Sequence, residues 1–466
     1  MDELPLCHTT VQLIGTARIS VKVHQRARTR RSASKGPKKV FFSICAATER
    51  RDEQRKALSR TVNAISSVFR TFDDRTEAVG CEQSVMELNS FHHVEFVVSN
   101  AIQASYWYCA NFGFHKHAEK KTEKELSIAV KNGPVLFVFT SPRGARIDPD
   151  QEYHLRIHGD AVYDVAFLVD CIETTIDELK KKGGDVIDEI GEIRDENGFV
   201  LTAKVGTTRG NLLHTLVQKD RYKGPFLPGY KKNFDDYSIT AFENLKPITY
   251  EALDHVVENY PNGALEDVGE WYRKNLNLQR FWSVDDKTCH TEYSAMNSWL
   301  MVNDSHDVQV TICEPVPNSK RARNQIQEFV DYNGGPGIQH IALRVDDIVS
   351  SIESMKTRSV QFLSVPDSYY DELESRLAKS NVKIAEDIAK LRELKILIDF
   401  DDNGYLLQIF TQPVQDRPTL FIEIIQRRNF NGFGAGNFKS LFEAVEREQE
   451  KRGTLFEDDD FKNRTY

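Results

Sequence analysis

From residue 88 onward the apolar positions fall into one recurring order. A short β-branched run opening on polar residues comes first, at 91–97, 163–169, 253–257 and 339–345. Alternation within these runs predicts strands. The stretches behind them, 101–112, 172–182, 266–275 and 348–358, predict helices, and apolar runs at 135–140, 212–217, 308–313 and 406–411 are expected to close each unit. Taking His93, Asp164, His255 and His340 as equivalent points, the spacings are 71, 91 and 85 residues. Four such βαβββ units, paired two and two, predict two α+β domains, at 88–223 and 247–455. The segment 224–246, rich in Pro, Gly and Asn/Asp, reads as the linker. Phe438, Leu441, Phe442 and Val445 make an i, i+3, i+4, i+7 stripe that predicts a last helix over 437–452, and 456–466 is left as a tail.

Strand parity then says which side chains meet. Ile341, Leu343 and Val345 share the face that packs on a helix, so His340, Ala342 and Arg344 point into the cup of a curved sheet. By the same parity His255 and Val257 point inward. In 419–426 the inward set is Phe421, Glu423 and Ile425, which leaves Glu423 as a carboxylate flanked by apolar residues. A buried, unpaired carboxylate needs a proton, a cation or a metal. Two histidines and a carboxylate on one face are also the ligand set of a facial-triad Fe(II) site. The spacings of 85 and 83 residues are long-range and settle nothing alone. Taken alone, each histidine reads first as a hydrogen-bonded core residue, and Glu423 as the ion-pair partner of Arg427 or Arg428. What favours a metal is that the repeat puts both histidines at the same point of equivalent units. Gln408 and Phe410 share the inward face of their run, and Gln339 and Gln325 lie near His340 in sequence. Buried glutamines would orient a polar substrate without adding charge.

Composition narrows the class. The 466 residues are 40% apolar and 28% charged, an ordinary globular balance. No apolar run approaches the roughly 20 residues that span a bilayer, which excludes an integral membrane protein. The seven cysteines are scattered, with no CxxC pair, so a disulfide framework and a zinc ribbon are not expected and a reducing compartment fits. Residues 1–87 carry 16 Lys/Arg against 10 Asp/Glu, whereas the rest carries 45 against 60. So acidic a body should repel a phosphate backbone, and nucleic acid is not an expected partner. The basic segment is read as a solvated extension; a transit peptide and a polyanion-binding patch are the alternatives.

The blocks RFWSVDD (280–286), HTEYS (290–294), DYNGGPGIQHIAL (331–343), GYLLQIFTQPVQDRPTLFIEIIQRR (404–428) and GFGAGNF (432–438) resemble the 4-hydroxyphenylpyruvate dioxygenase family of the vicinal oxygen chelate superfamily. The resemblance runs from Phe91 to Leu455. It implies two glyoxalase-like domains, the first a vestigial copy without metal, and a C-terminal helix that gates the second. It further implies His255, His340 and Glu423 as ligands of Fe(II), one per subunit. Phe410 and Phe438 match the pair that holds the substrate ring, and Gln325, Gln339, Gln408 and Ser294 match the polar lining. Phe433 and Asn437 match the gate. The implied activity takes 4-hydroxyphenylpyruvate and O2 to homogentisate and CO2 in tyrosine catabolism, in a cytoplasmic homodimer or homotetramer. Two positions depart from the family pattern: Thr311 stands where Pro is usual, and Cys313 where Asn is usual. Losing that amide puts the product in question, with benzylic hydroxylation, as in hydroxymandelate synthase, as the runner-up. A silent paralogue acting as a binding module is the reading from another class.

Overall fold

The computed structural model describes residues 86–207, 209–232, 244–284, 290–291, 293–317, 323–432 and 434–456. The basic extension lies outside them except for Met86 and Glu87, as does the tail except for Phe456. Met86 is already buried in the core.

The first unit is β1 (Leu88–Val97), α1 (Ala101–Phe112), β2 (His115–Lys121), β3 (Glu125–Asn132) and β4 (Val135–Pro142). After α2 (Pro149–Ile157), the second is β5 (Ala161–Val169), α3 (Ile172–Lys181), β6 (Val186–Asp195), β7 (Gly198–Gly206) and β8 (Leu213–Gln218), with a short β9 (Lys231–Lys232) behind it. The third is β10 (Ala252–Asn259), α4 (Leu265–Asn275), β11 (Gln279–Val284), β12 (Met296–Val302) and β13 (Gln309–Pro315). The fourth follows α5 (Gln325–Asn333). It comprises β14 (Gly337–Arg344), α6 (Ile348–Thr357), α7 (Asp367–Leu377), α8 (Ile388–Leu394), β15 (Leu397–Phe400), β16 (Tyr405–Phe410) and β17 (Phe421–Arg428), and α9 (Phe438–Arg452) ends the fold.

This is the expected pair of α+β domains. Among the described residues the sheet orders are β6-β7-β8-β5-β1-β4-β3-β2-β9 and β11-β12-β13-β10-β14-β17-β16-β15. In every unit the closing strand returns parallel to the opening strand: β4 on β1, β8 on β5, β13 on β10 and β17 on β14. The two opening strands of a domain then pair antiparallel at its centre. Two expectations are corrected. The fourth unit closes on Phe421–Arg428, and the run at 406–411 is its middle strand, because α7 and α8 are inserted before the meander. The expected linker belongs in part to the first domain: Phe226 is buried there, its ring stacked 5.5 Å from His92, and β9 pairs with β2. Apolar Phe226, Leu227 and Tyr230 outweigh the Pro and Gly around them.

Helix ends are fixed locally. Asn100 Oδ1 accepts from the backbone N–H groups of Ile102 and Gln103, both at 3.1 Å, and α1 stops at Gly113 in the left-handed region. Asp347 caps α6 through Ser350 N–H at 2.9 Å. The helices cover the outward strand face, so Ile341 and Leu343 share a core with Ile348, Ile352 and Met355, while Ala342 sits in a separate inward cluster.

A buried polar chain joins the domains. His214 Nδ1–H donates to the Val165 carbonyl at 2.9 Å, which leaves Nε2 as an acceptor 2.7 Å from the Tyr272 hydroxyl. That hydroxyl is also 2.5 Å from Glu258, whose other oxygen accepts from Tyr260 at 2.8 Å. Burial keeps His214 below its ordinary pKa, so one tyrosine proton is wanted on both sides. A proton on Glu258 resolves this, and burial pushes its carboxyl up to about 7 against the pull of Tyr272 and Tyr260. A raised folded-state pKa gives stability that is complete below the ordinary 4.5 and is lost as pH rises through about 7. The loss amounts to roughly 3 kcal/mol for a shift of this size. Glu258→Gln, neutral throughout, is expected to flatten the Tm–pH curve between about pH 5 and about pH 8; an unchanged slope would place the titrating group elsewhere.

Candidate metal centre

Three neighbouring strands of the second domain bring His255, His340 and Glu423 together. His255 and His340 stand on β10 and β14, and Glu423 lies on β17 opposite Ala342 and Phe410. A register shift between Leu253 and His255 lets Leu253 enter the outward core while His255 turns inward, and it places Asp254 beside the imidazole. Glu423 Oε2 is 3.1 Å from His255 Nε2 and 3.4 Å from His340 Nε2. The ligand atoms of all three lie within 4.8 Å of one another, and all three residues are buried.

The rings are held from behind. His255 Nδ1–H donates to Asp254 Oδ1 at 2.8 Å and His340 Nδ1–H to Gln339 Oε1 at 3.0 Å, so both Nε2 atoms face the carboxylate. The His340 ring also stacks on Phe421 at 4.8 Å. Arg427 pairs side-on with Asp254 at 2.9 and 2.8 Å, and Arg344 stands 3.9 Å from it. Arg428 pairs with Asp346. Neither arginine is the partner of Glu423, contrary to the ion-pair alternative. Burial works against every charge in this cluster. Glu423 and Asp254 nonetheless carry His255 up to about 9, and the histidines hold Glu423 down to about 2. Burial lowers His340. Glu423 Oε1 is buried with no partner. Two nitrogen donors, a shared carboxylate oxygen and a second oxygen with no partner form a site that favours a cation.

The glutamines reach their places by different routes: Gln408 follows the parity of β16, Gln325 comes from the first turn of α5, and Gln339 sits beside His340 where the β10–β14 register shifts. Gln325 and Gln339 line one small cavity with Phe421 and Thr411. Gln408 is buried, with Nε2 unpartnered. Phe410 sits 6.0 Å from the His340 ring, and Phe438 packs with Val257, Met296, Cys313, Ile326 and Phe442. Asn437 is fully buried, its Oδ1 accepting from Tyr369 at 2.8 Å. Phe433 lies outside the described residues. Ser294 is placed in the turn before β12, its N–H bonded to Thr291 Oγ1 at 2.9 Å. The inward serine of β12 is Ser298, 3.3 Å from the Cys313 thiol and passed over by the sequence reading. Asn259 was missed too. It follows His255 and Val257 on the inward parity of β10, is fully buried, and leaves both amide atoms unpartnered among the described residues. Parity alone could have found both.

In the first domain, register assigns the matching positions. Glu95 lies opposite Asp164 as Val257 lies opposite His340, so His93 and Asp164 take the places of His255 and His340. Thr215 takes the place of Glu423, with its N–H and hydroxyl on the two oxygens of Asp164 at 2.9 and 2.5 Å. Lys204, opposite Thr215, stands where Phe410 does.

Models of the Glyoxalase/Bleomycin resistance protein/Dioxygenase superfamily match residues 90–215 and 263–373. A Caenorhabditis elegans protein described only as putative is 51% identical over 371 residues, spanning 79% of this chain and 99% of its own. The 4-hydroxyphenylpyruvate dioxygenase of Caenorhabditis briggsae is 48% identical, covering 81% of this chain and 96% of that one. The Danio rerio enzyme of the same name is 46% identical, covering 78% and 92%. Among solved structures, a triple mutant of 4-hydroxymandelate synthase from Streptomyces coelicolor superposes with a TM-score of 0.66 at 28% identity, over 78% of this chain and all of that one. With two superfamily domains and such identity along nearly the whole length of these relatives, the chain belongs to the 4-hydroxyphenylpyruvate dioxygenase family.

Proposed function

We propose that this chain is an Fe(II)-dependent dioxygenase that converts 4-hydroxyphenylpyruvate and O2 into homogentisate and CO2, with one metal held by His255, His340 and Glu423. The observation that carries the reading is the buried Glu423 carboxylate, set between two Nε2 atoms with its second oxygen unpartnered. Fe(II) bound there supplies Lewis acidity and the one-electron chemistry that dioxygen requires. The chain does the rest. Asp254 and Gln339 fix the tautomer and angle of the two rings. Gln408, with Gln325 and Gln339, offers neutral hydrogen bonds that orient a polar substrate and leave the charge of the centre unaltered. Phe410 and Phe438 supply apolar area for an aromatic ring. Burial of the whole cluster keeps bulk water from the reacting atoms. A homo-oligomer in the cytoplasm belongs to the same proposal. Among the described residues no helix is long and apolar enough to cross a membrane.

Cys313, where the chain departs from the family pattern, is the position at which the product is tested. Its thiol sits in an apolar cluster with Phe438 and Val257 and touches the Ser298 hydroxyl, and the neighbouring Thr311 hydroxyl is buried without a partner. Aerobic turnover of 4-hydroxyphenylpyruvate by the Fe(II)-loaded chain, with products separated and weighed by mass spectrometry, is expected to yield homogentisate. Cys313→Asn is expected to keep that product at an equal or higher rate, because an amide adds hydrogen bonds where the thiol offers few. 4-Hydroxymandelate from the unaltered chain would overturn the assignment of product while leaving the metal site standing. Bound iron without oxygen uptake would favour a silent binding module.

A further inference from the structure

Arg427 touches three parts of the second domain at once. Its Nε and Nη2 donate to both oxygens of Asp254, which accepts from His255. Its Nη1 donates to the backbone carbonyl of Gly432 at 2.7 Å and lies 3.3 Å from that of Phe430. Its own backbone is on β17, four residues beyond Glu423. The Asp254 side chain is fully enclosed and that of Arg427 nearly so, at 12% exposure, so these bonds are shielded from competing water. Beyond Gly432 the chain packs Gly434 against Gln408, passes the turn Ala435–Asn437 and starts α9 at Phe438, in the cluster with Val257 and Cys313.

A planar fork of five N–H groups can hold a carboxylate side-on and reach backbone carbonyls as well; a lysine ammonium can hold only one of the two. We propose that Arg427 is a positioning residue that ties the orientation of His255, through Asp254, to the bend at Phe430–Gly432 that seats the C-terminal helix. The metal centre and the first turn of α9 are then ordered together. The inference rests on the metal reading above.

Coupling of this kind is reciprocal: if the bend steadies the ligand, metal must steady the bend. The full-length chain, stripped of metal, would be titrated with Co(II) by visible absorbance, and amide exchange followed in peptides covering 429–441 with and without Co(II). In the unaltered chain Co(II) is expected to slow exchange there by about tenfold or more. Arg427→Lys, still paired with Asp254, should bind Co(II) within about threefold of the unaltered chain, yet lose that protection. Arg427→Gln should lose the protection and also about 10–100-fold in affinity, the usual loss when a ligand's outer partner goes. Protection of the Lys variant equal to that of the unaltered chain overturns the tether, as does an unchanged Co(II) affinity in the Gln variant. Should the Gln variant not fold, the Lys variant decides alone. An unaltered chain that binds Co(II) no better than Glu423→Ala overturns the metal site itself, and the tether with it, so the two failures are told apart.

Discussion

Glu423→Ala is expected to abolish metal retention and to lower kcat/KM by on the order of 10³-fold or more. Loss of an outer partner of a ligand already costs about 10–100-fold in affinity, and this change removes a ligand atom outright. Glu423→Gln should fail nearly as badly although it fills the same space, because a neutral amide cannot balance the charge of a divalent cation. The stability of the metal-free proteins is expected to fall as well. In the parent chain the buried carboxylate is balanced by a proton on His255, which Glu423 and Asp254 hold up to about 9. Without that carboxylate His255 loses its larger source of attraction, and one buried charge pair disappears from the fold. Removing one partner of a buried charge pair is destabilising, so the Tm of the metal-free Ala variant should fall below that of the parent. Turnover within about threefold of the parent would remove Glu423 from the site. A clear fall in Tm with intact turnover would make it a structural ion-pair partner.

The site was legible to the extent that a period of two governs it. Glu423, Gln408 and Phe410 lie on strands paired without a register shift, whose alternation gives one apolar and one inward set, and the structure follows it. Asn259 and Ser298 obey the same rule and were within reach of it. Asp254 was not, because the register shift at Leu253–His255 breaks the period and sets two consecutive residues to work on one side. Arg427 lies on the strand that carries Glu423, yet its partners come from β10 and from the bend after β17. No spacing along one strand announces a bond between residues 173 positions apart. The closing strand of the fourth unit was misread for a related reason. Counting apolar runs assumes equal units, and two inserted helices shift the count by one. What remained hidden was set by tertiary pairing, and that is where the supports of the site lie.

Gly434→Ala is expected to lower kcat/KM by about 10–100-fold while lowering Tm by only a few degrees. Two separate effects meet at this glycine. Its φ of +73° lies in the left-handed region, which costs a residue with a Cβ roughly 1–2 kcal/mol. Its Cβ would also stand 2.5 Å from Gln408 Oε1 and 2.8 Å from Nε2. Gln408 is 1% exposed, so its amide has no solvent to retreat into and must swing across the inward face that Phe410 and Glu423 share, or else α9 must lift. Either movement displaces a group that would contact substrate, and a misplacement of about 1 Å is enough to cost about 100-fold. The same helix supplies the control. Gly453, which ends α9, has a φ of +72° and nothing within 4 Å of its Cβ position. Gly453→Ala therefore meets the same backbone strain without the collision, and its kcat/KM should stay within about twofold of the parent. Equal losses of activity in the two variants would trace the effect to helix stability. A loss confined to Gly434→Ala would show that the close approach of this backbone to Gln408 is itself part of how the pocket holds its shape.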